Sequence, residues 1–446
     1  MFFCGIDLGT TNTKAVLLDG SLTVVDIFGV SHDSREDADR LDADIWMRHF
    51  NAVLKAFEKH FCGNEVYVSL TTQGGSFVLL DGDYRPVDKA WLWIGHAPSE
   101  VVTGLVSDIG CDKFYRQTGW QPLSYLMIGK LRNLHNSGFK QYSHIVTVPD
   151  YITSQLAKKT ITDITNAQIT GFFDFANQQW SKDILRWADC VPSAMSSVES
   201  KIRVILDSVK TLSGKINLVT SSHDQYAAME AANVQKNSAI LCTGTAWVLN
   251  GRSSHPFYDK AYNVHPGRNL HNGYGFIITL GPVGQHFEWL LHKVGISFEK
   301  LNEFEKAIDL TITPDGAVGL NHQNPAQSIR DYMWAVAAII FFNLQRLKLT
   351  SAINKLVMTG GAAASSVWPQ IIANMSGLTV ETVEFQQFTA YGAALMARQA
   401  VTNEKGITEI PGNKKIYRPQ RSNEYRQWYN EVQKEYIEKN GWALVS

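Results

Sequence analysis

Apolar and polar positions along the first twenty residues fit two short strands. Phe2, Phe3, Cys4, Ile6 and Leu8 run into a polar turn at Gly9-Thr10-Thr11-Asn12, and Ala15 to Leu18 resume the apolar run until Asp19-Gly20 closes it. Leu22 to Val30 reads as a third strand. Ala43 to Phe61 carries apolar residues at helical spacing, with Ile45, Phe50, Val53, Leu54 and Phe57 on one face. Val66 to Leu70 and Phe77 to Leu80 are short buried strands on either side of Thr71-Thr72-Gln73-Gly74-Gly75-Ser76. Three strands, a helix and a further strand open an α/β domain. Beyond them, Tyr125 precedes a helical pattern at Leu126, Ile128, Leu131 and Leu134, and His144 to Val148 is a strand closed by Pro149-Asp150. The polar turn from Thr162 to Ala167 has no role that the pattern defines.

Ile216 to Thr220 forms a strand that delivers Ser221-Ser222-His223-Asp224-Gln225 to a helix with Ala227, Ala228, Met229, Ala231 and Ala232 on its apolar face. Ser238 to Asn250 then repeats the opening design of strand, Gly/Thr turn (Thr243-Gly244-Thr245) and strand. The repeat predicts two similar α/β domains, residues 1–218 and 219–446, facing one cleft. Gly273-Tyr274-Gly275 leads into an apolar strand, Phe276 to Leu280, and so is no dinucleotide fingerprint. Helices are predicted at Gln285 to Val294 and Ile329 to Leu349. The strand Lys355 to Thr359 stops at the small-residue loop from Gly360 to Ser366, which opens a helix at Val367 to Met375. Val380 to Val383 is a strand and Ala390 to Ala397 a small-residue helix. A last helix, Asn423 to Lys439, puts Tyr425, Trp428, Val432 and Tyr436 on one face, which either packs on its own domain or joins a homodimer interface.

A chain of 446 residues exceeds one ordinary core, which agrees with two domains. Its net charge of −1, with no long Lys/Arg run, argues against nucleic-acid and membrane-surface partners and leaves a small molecule as the expected ligand. Five scattered cysteines without a C-x-x-C pair fit a reducing compartment. The longest apolar run, Trp334 to Phe342, is too short to cross a bilayer, so a soluble cytoplasmic protein is expected. The histidines lack metal-ligand spacing.

Chemistry concentrates at a few places. Small residues at Gly9, Thr10 and Thr11 let backbone N–H groups and hydroxyls approach an anion, and Asp7 offers an oxygen to a hard cation such as Mg²⁺. The tip is then a seat for nucleotide phosphates, or else an ordinary hairpin with Asp7 solvated. Gln73 and its glycines leave a strand end where α/β proteins bind ligands, or form a plain turn. Trp91 and Trp93 suit either a core or the C–H face of a sugar. Asp224, in the first turn of a helix, is stabilised as the anion and able to take a proton; alternatively Ser222 and Gln225 form a capping box around it. The loop at Gly360 to Ser366 leaves room for a base or ribose on its backbone.

Four stretches together resemble the FGGY carbohydrate kinases, of the actin/hexokinase/heat-shock ATPase fold group: Gly5-Ile6-Asp7-Leu8-Gly9-Thr10-Thr11, Ser222-His223-Asp224-Gln225, Thr243-Gly244-Thr245, and Gly360-Gly361-Ala362 with Ala390-Tyr391-Gly392-Ala393-Ala394. Their order matches the family, and the resemblance covers nearly the whole chain. It implies two ribonuclease-H-like domains, ATP and Mg²⁺ in an interdomain cleft, and a sugar against the first domain. It assigns Asp224 as the base, Asp7 to the metal, and Thr10, Thr11, Gly244, Thr245, Gly361 and Ser365 to the nucleotide. Gln73, Gly74, Trp93, Tyr125 and Gln225 fall at sugar-contacting positions. The implied activity is phosphorylation of a ketose such as xylulose, ribulose, fuculose or rhamnulose, with a glycerol or polyol kinase, or a non-kinase ATPase of this fold, as alternatives. Two departures concern the substrate rim. Ile94-Gly95-His96 replaces the acid of the Trp-x-Asp pattern found in many xylulose and glycerol kinases, and Thr72-Gln73-Gly74-Gly75 lacks the Gln-Met-His-Gly pattern typical of xylulose kinases. Thr162-Asp163-Ile164-Thr165 is closer to fuculose and rhamnulose kinases.

Overall fold

The computed structural model describes residues 1–32, 37–259, 261, 263–306, 308–314, 316, 325–347, 352–402 and 410–440. They form two compact units. The first comprises Met1–Asn233, Ser253–Phe276 and Gln387–Glu409; the second comprises Val234–Arg252, Ile277–Gln386 and Ile410–Ser446. The boundary expected at 218/219 falls inside a strand, Gly214–His223, that pairs in parallel with Val66–Thr72.

The strands of the first large sheet are β1 (Phe2–Leu8), β2 (Asn12–Asp19), β3 (Val24–Ser31), β4 (Val66–Thr72), β5 (Val204–Thr211) and β6 (Gly214–His223), in the order β5-β6-β4-β1-β2-β3. β1, β2 and β3 form an antiparallel meander, and β4 and β6 add in parallel beside β1. In β1 and β4 nearly every residue is buried, as expected where both faces of a sheet are covered. Helix Asp44–Phe61 covers one face with Ile45, Trp46, Phe50, Val53, Leu54 and Phe57, each worth roughly 1.5–3 kcal/mol of burial. Helix Phe388–Thr402 also belongs to this unit.

The second large sheet repeats the plan. Its strands are β7 (Ser238–Thr243), β8 (Trp247–Ser253), β9 (His265–Arg268), β10 (Tyr274–Thr279), β11 (Lys355–Gly360), β12 (Thr379–Glu384) and β13 (Asn413–Tyr417), in the order β9-β10-β8-β7-β11-β12-β13. An antiparallel hairpin, β7–β8, is again followed by two parallel strands, β11 and β12.

Three local readings change. Pro149 and Asp150 open a helix, Val148–Ala157, because Thr147 and Asp150 complete a capping box and Pro is tolerated in a first turn. Thr162 to Ala167 is a strand end and a short helix, Ile161–Asp163 and Ile164–Gln168. The central helix of the second unit runs Pro325–Arg346, and positions 348 and 349 of the expected helix lie outside the described residues. The last helix contains a π turn, Tyr429–Gln433. Tyr425 and Trp428 of its aromatic face are buried in its own unit, Tyr425 stacked on Trp334 at 3.8 Å between ring centres, while Val432 and Tyr436 are half-buried. Among the described residues no helix is long and apolar enough to cross a membrane.

Candidate active site

In the first unit, β1 ends just past Asp7 and the turn to β2 carries Thr10 and Thr11. Asp7 accepts a hydrogen bond from Thr389 Oγ1 at 2.5 Å. Burial pushes its carboxyl up to about 6, the Thr389 bond offsets part of this, and the charge of Asp224 adds to the rise. Thr10 Oγ1 accepts the indole N–H of Trp93 at 2.9 Å, which ties the expected phosphate turn to the expected sugar residue.

The end of β4 leads into the Gln73 loop. Gln73 is buried, its amide oxygen accepting from Thr72 Oγ1 (3.1 Å) and its nitrogen donating to Ser76 Oγ (3.4 Å). Ser76 Oγ also accepts the Trp93 backbone N–H at 3.0 Å, so the Gln73 loop and the Trp93 segment are stitched together. A side chain at Gly74 would collide with Ile169 and His223, which places this glycine against the end of β6. Tyr125 meets Trp120 edge to face, and Trp120 stacks on His265 at 4.0 Å. Gln73, Gly74, Trp93 and Tyr125 thus lie in one unit with Thr10.

Asp224 opens helix Asp224–Ala231. The capping-box alternative does not occur: the N-cap is His223 with no side-chain cap, and Ser222 Oγ is buried without a partner among the described residues. About a quarter of the Asp224 side chain (26%) is exposed, yet the carboxyl is packed round by protein and Oδ1 has no hydrogen-bond partner among the described residues. Desolvation pushes its pKa up to about 7, and hydrogen bonding from Gln225 offsets part of that rise. His223 Nε2 lies 3.3 Å from Oδ1, but burial holds the imidazole down at about 4, so it is neutral near pH 7 and does not pair ionically.

The supports beneath Asp224 escaped the sequence reading. Asp163 is fully buried and accepts from Thr165 N and Oγ1, Asn166 N and Nδ2, and Ser221 Oγ at 2.8 Å. Thr165 Oγ1 in turn accepts the His223 N–H at 2.9 Å. The last residues of β6 are therefore pinned just ahead of Asp224. The available signal was the unexplained polar run from Thr162 to Ala167 lying between apolar segments.

The second unit holds a cavity of about 400 Å³ lined by Thr243, Gly244, Thr245, Gly361, Ser365 and Glu305, among others, within the size range of small-ligand sites. Thr243 Oγ1 bridges β7 to β11, donating to Thr359 O (2.7 Å) and accepting from Ala362 N (3.2 Å). Ser365 Oγ donates to buried Glu305 (2.6 Å) and accepts from Val367 N and Trp368 N (3.0 Å each). Its hydroxyl therefore shapes the wall and starts helix Trp368–Ser376.

Among the described residues no group of three or more His, Cys, Asp or Glu forms a metal cage. Mg²⁺ needs none, since it is commonly held by one or two carboxylates with phosphate oxygens and water. Asp7 and Asp224, two carboxyls near enough for one to raise the other's pKa and one with an orphaned oxygen, fit such a cation.

A glycine–threonine hairpin suits phosphate oxygens, and a carboxyl poised near neutrality suits deprotonation of a hydroxyl. The class so defined is the phosphotransferases with an alcohol acceptor. Residues 2–229 match the N-terminal domain, and residues 307–401 the C-terminal domain, of the FGGY family of carbohydrate kinases. The chain belongs to that family, whose members use ATP as phosphate donor. It is 23% identical over 464 residues to a xylulose kinase of Staphylococcus xylosus, covering 93% of this chain and 95% of the relative. It is likewise 23% identical over 496 residues to a glycerol kinase of Saccharolobus islandicus, covering 100% and 98%. The crystal structure of xylulose kinase from Rhodospirillum rubrum superimposes with a TM-score of 0.87 at 19% identity over the whole of both chains, which shows the fold to be the expected actin-like ATPase fold.

Proposed function

We propose that the chain transfers the terminal phosphoryl group of ATP to a hydroxyl of a five-carbon ketose, with xylulose the first substrate to test, in a Mg²⁺-dependent reaction. The observation that carries this reading is Asp224: a desolvated carboxyl with an unpartnered oxygen, in one unit with the Gln73 loop and the first hairpin. Xylulose kinases among the similar proteins favour the ketose, and the glycerol kinases among them make glycerol the natural competitor.

In this reading Gln73, Gly74, Trp93, Tyr125 and Gln225 hold the sugar. Asp224 takes the proton from the attacking hydroxyl as the bond to phosphorus forms, and the nucleotide's terminal bridging oxygen leaves with ADP. Thr10 and Thr11 receive phosphate oxygens through hydroxyl and backbone donors. Gly244, Thr245 and Gly361 line the nucleotide cavity, and Ser365 shapes it. Asp7 holds Mg²⁺, which when bound neutralises charge on the phosphate oxygens.

ATP consumption measured with xylulose, ribulose, fuculose, rhamnulose, glycerol and no acceptor tests the proposal. Turnover should depend on Mg²⁺ and on acceptor, with a pentulose giving the highest kcat/KM. Acceptor-independent hydrolysis would mean a non-kinase ATPase, and a preference for glycerol would overturn the ketose assignment.

A further inference from the structure

Lys130 lies in helix Met127–Asn136 with only 2% of its surface exposed. A buried ammonium must find partners. It donates to Leu92 O at 2.7 Å and to Gly75 O at 3.4 Å. These carbonyls adjoin Gln73-Gly74 on one segment and Trp93 on the other. The charge that favours its protonated form among the described residues is that of Asp39. Asp39 also takes part through its backbone, its carbonyl accepting the Leu92 N–H at 2.9 Å. Leu92, fully buried, is therefore gripped on its carbonyl by Lys130 and on its amide by Asp39. The Asp39 side chain fills the space beside Gly95: a Cβ built there would lie 2.8 Å from Asp39 Oδ2 and 3.0 Å from its Cβ. A side chain at position 95 therefore requires the Asp39 carboxylate to move aside.

We propose that Asp39 and Lys130 form a brace that sets the spacing of the Gln73–Ser76 loop and the Trp91–Trp93 segment, with the Asp39 carboxylate standing in the space that a side chain at position 95 would enter. Both are positioning residues, and the assignment rests on the reading of Gln73, Gly74 and Trp93 as sugar contacts. Burial pulls Lys130 down to about 7, and the Asp39 charge opposes that fall, so the pair keeps the ammonium available to both carbonyls.

Asp39→Asn and Lys130→Met should each raise the sugar KM about tenfold or more and the ATP KM clearly less, because the sugar contacts are displaced directly while the nucleotide is reached only through the Trp93–Thr10 hydrogen bond. Gly95→Asp alone should be impaired by collision, and the double variant Asp39→Gly/Gly95→Asp should recover much of the lost affinity. A double variant no better than either single change, or an equal loss for ATP, overturns the brace. Amide hydrogen exchange reads it without any sugar. Gly75, Ser76 and Trp91 to Trp93 should exchange faster in the single variants and regain protection in the double one, and unchanged protection overturns the brace. If the unmodified protein phosphorylates none of the sugars, the proposed substrate class fails while hydrogen exchange still decides the brace.

Discussion

A carboxyl pushed to about 7 is half protonated at neutral pH, so Asp224 offers its base form to only part of the population until the pH rises. The kcat for phosphoryl transfer should climb with pH through about 7 and level off above it, and an acid limb centred near the ordinary carboxyl value of 3.8 would contradict the desolvated base. Asp224→Asn keeps the shape and removes the proton acceptor. It should cut kcat by about a hundredfold to ten-thousandfold. Because it also deletes a charge that burial disfavours, the unliganded variant should unfold at a temperature no lower than the parent at about pH 8. A variant that keeps most of its turnover, or one that fails to fold, would sink the assignment.

At the level of elements, the two carboxylates depend on a helix far away in sequence. Helix Phe388–Thr402 approaches β1 so closely that a Cβ at Gly5 would lie 1.9 Å from Ala390 O, and one at Gly392 would lie 1.9 Å from Ala227 O in the helix that Asp224 opens. These are backbone atoms, which cannot swing aside. Gly392→Ala should therefore cost about 1–3 kcal/mol, measured by denaturant unfolding, and lower kcat along with it. Wild-type stability in this variant would show that the helix is not held so tightly. The hairpin turns at Thr10-Thr11 and at Gly244-Thr245 were readable because strand, small-residue turn and strand follow one another locally. Asp224 was readable as the start of a helix for the same reason. The roles of Asp163, Thr165 and Thr389 were not, since their partners lie across the fold: Asp163 reaches Ser221, Thr165 reaches His223 and Thr389 reaches Asp7. The expected cap at Ser222 misled because strand pairing continues to His223, one residue past the local signal.

For the molecule as a whole, burial raises the carboxyls of Asp7 to about 6 and of Asp150 and Asp224 to about 7, from an ordinary 3.8. Each binds its proton more tightly folded than unfolded. Their contribution to stability is full below about 3.8 and is lost as pH rises through about 6 to 7. The share of the unliganded protein's pH-dependent stability due to these groups should thus fall between about pH 4 and about pH 7 and level off above that. Thermal unfolding of Asp7→Asn/Asp224→Asn should show a shallower decline than the parent; an identical slope would remove these groups from the account. The path of the chain also constrains its synthesis, because it passes between the units at 233/234, 252/253, 276/277, 386/387 and 409/410. The helix wedged against Gly5 and Ala227 leaves the ribosome long after the sheet it completes, so the first unit must wait on the tunnel with an open groove along β1. A nascent chain stalled before residue 387 would expose that groove to chaperones and proteases, and release of the last part of the first unit, not of its first 233 residues, would mark the moment it becomes protected.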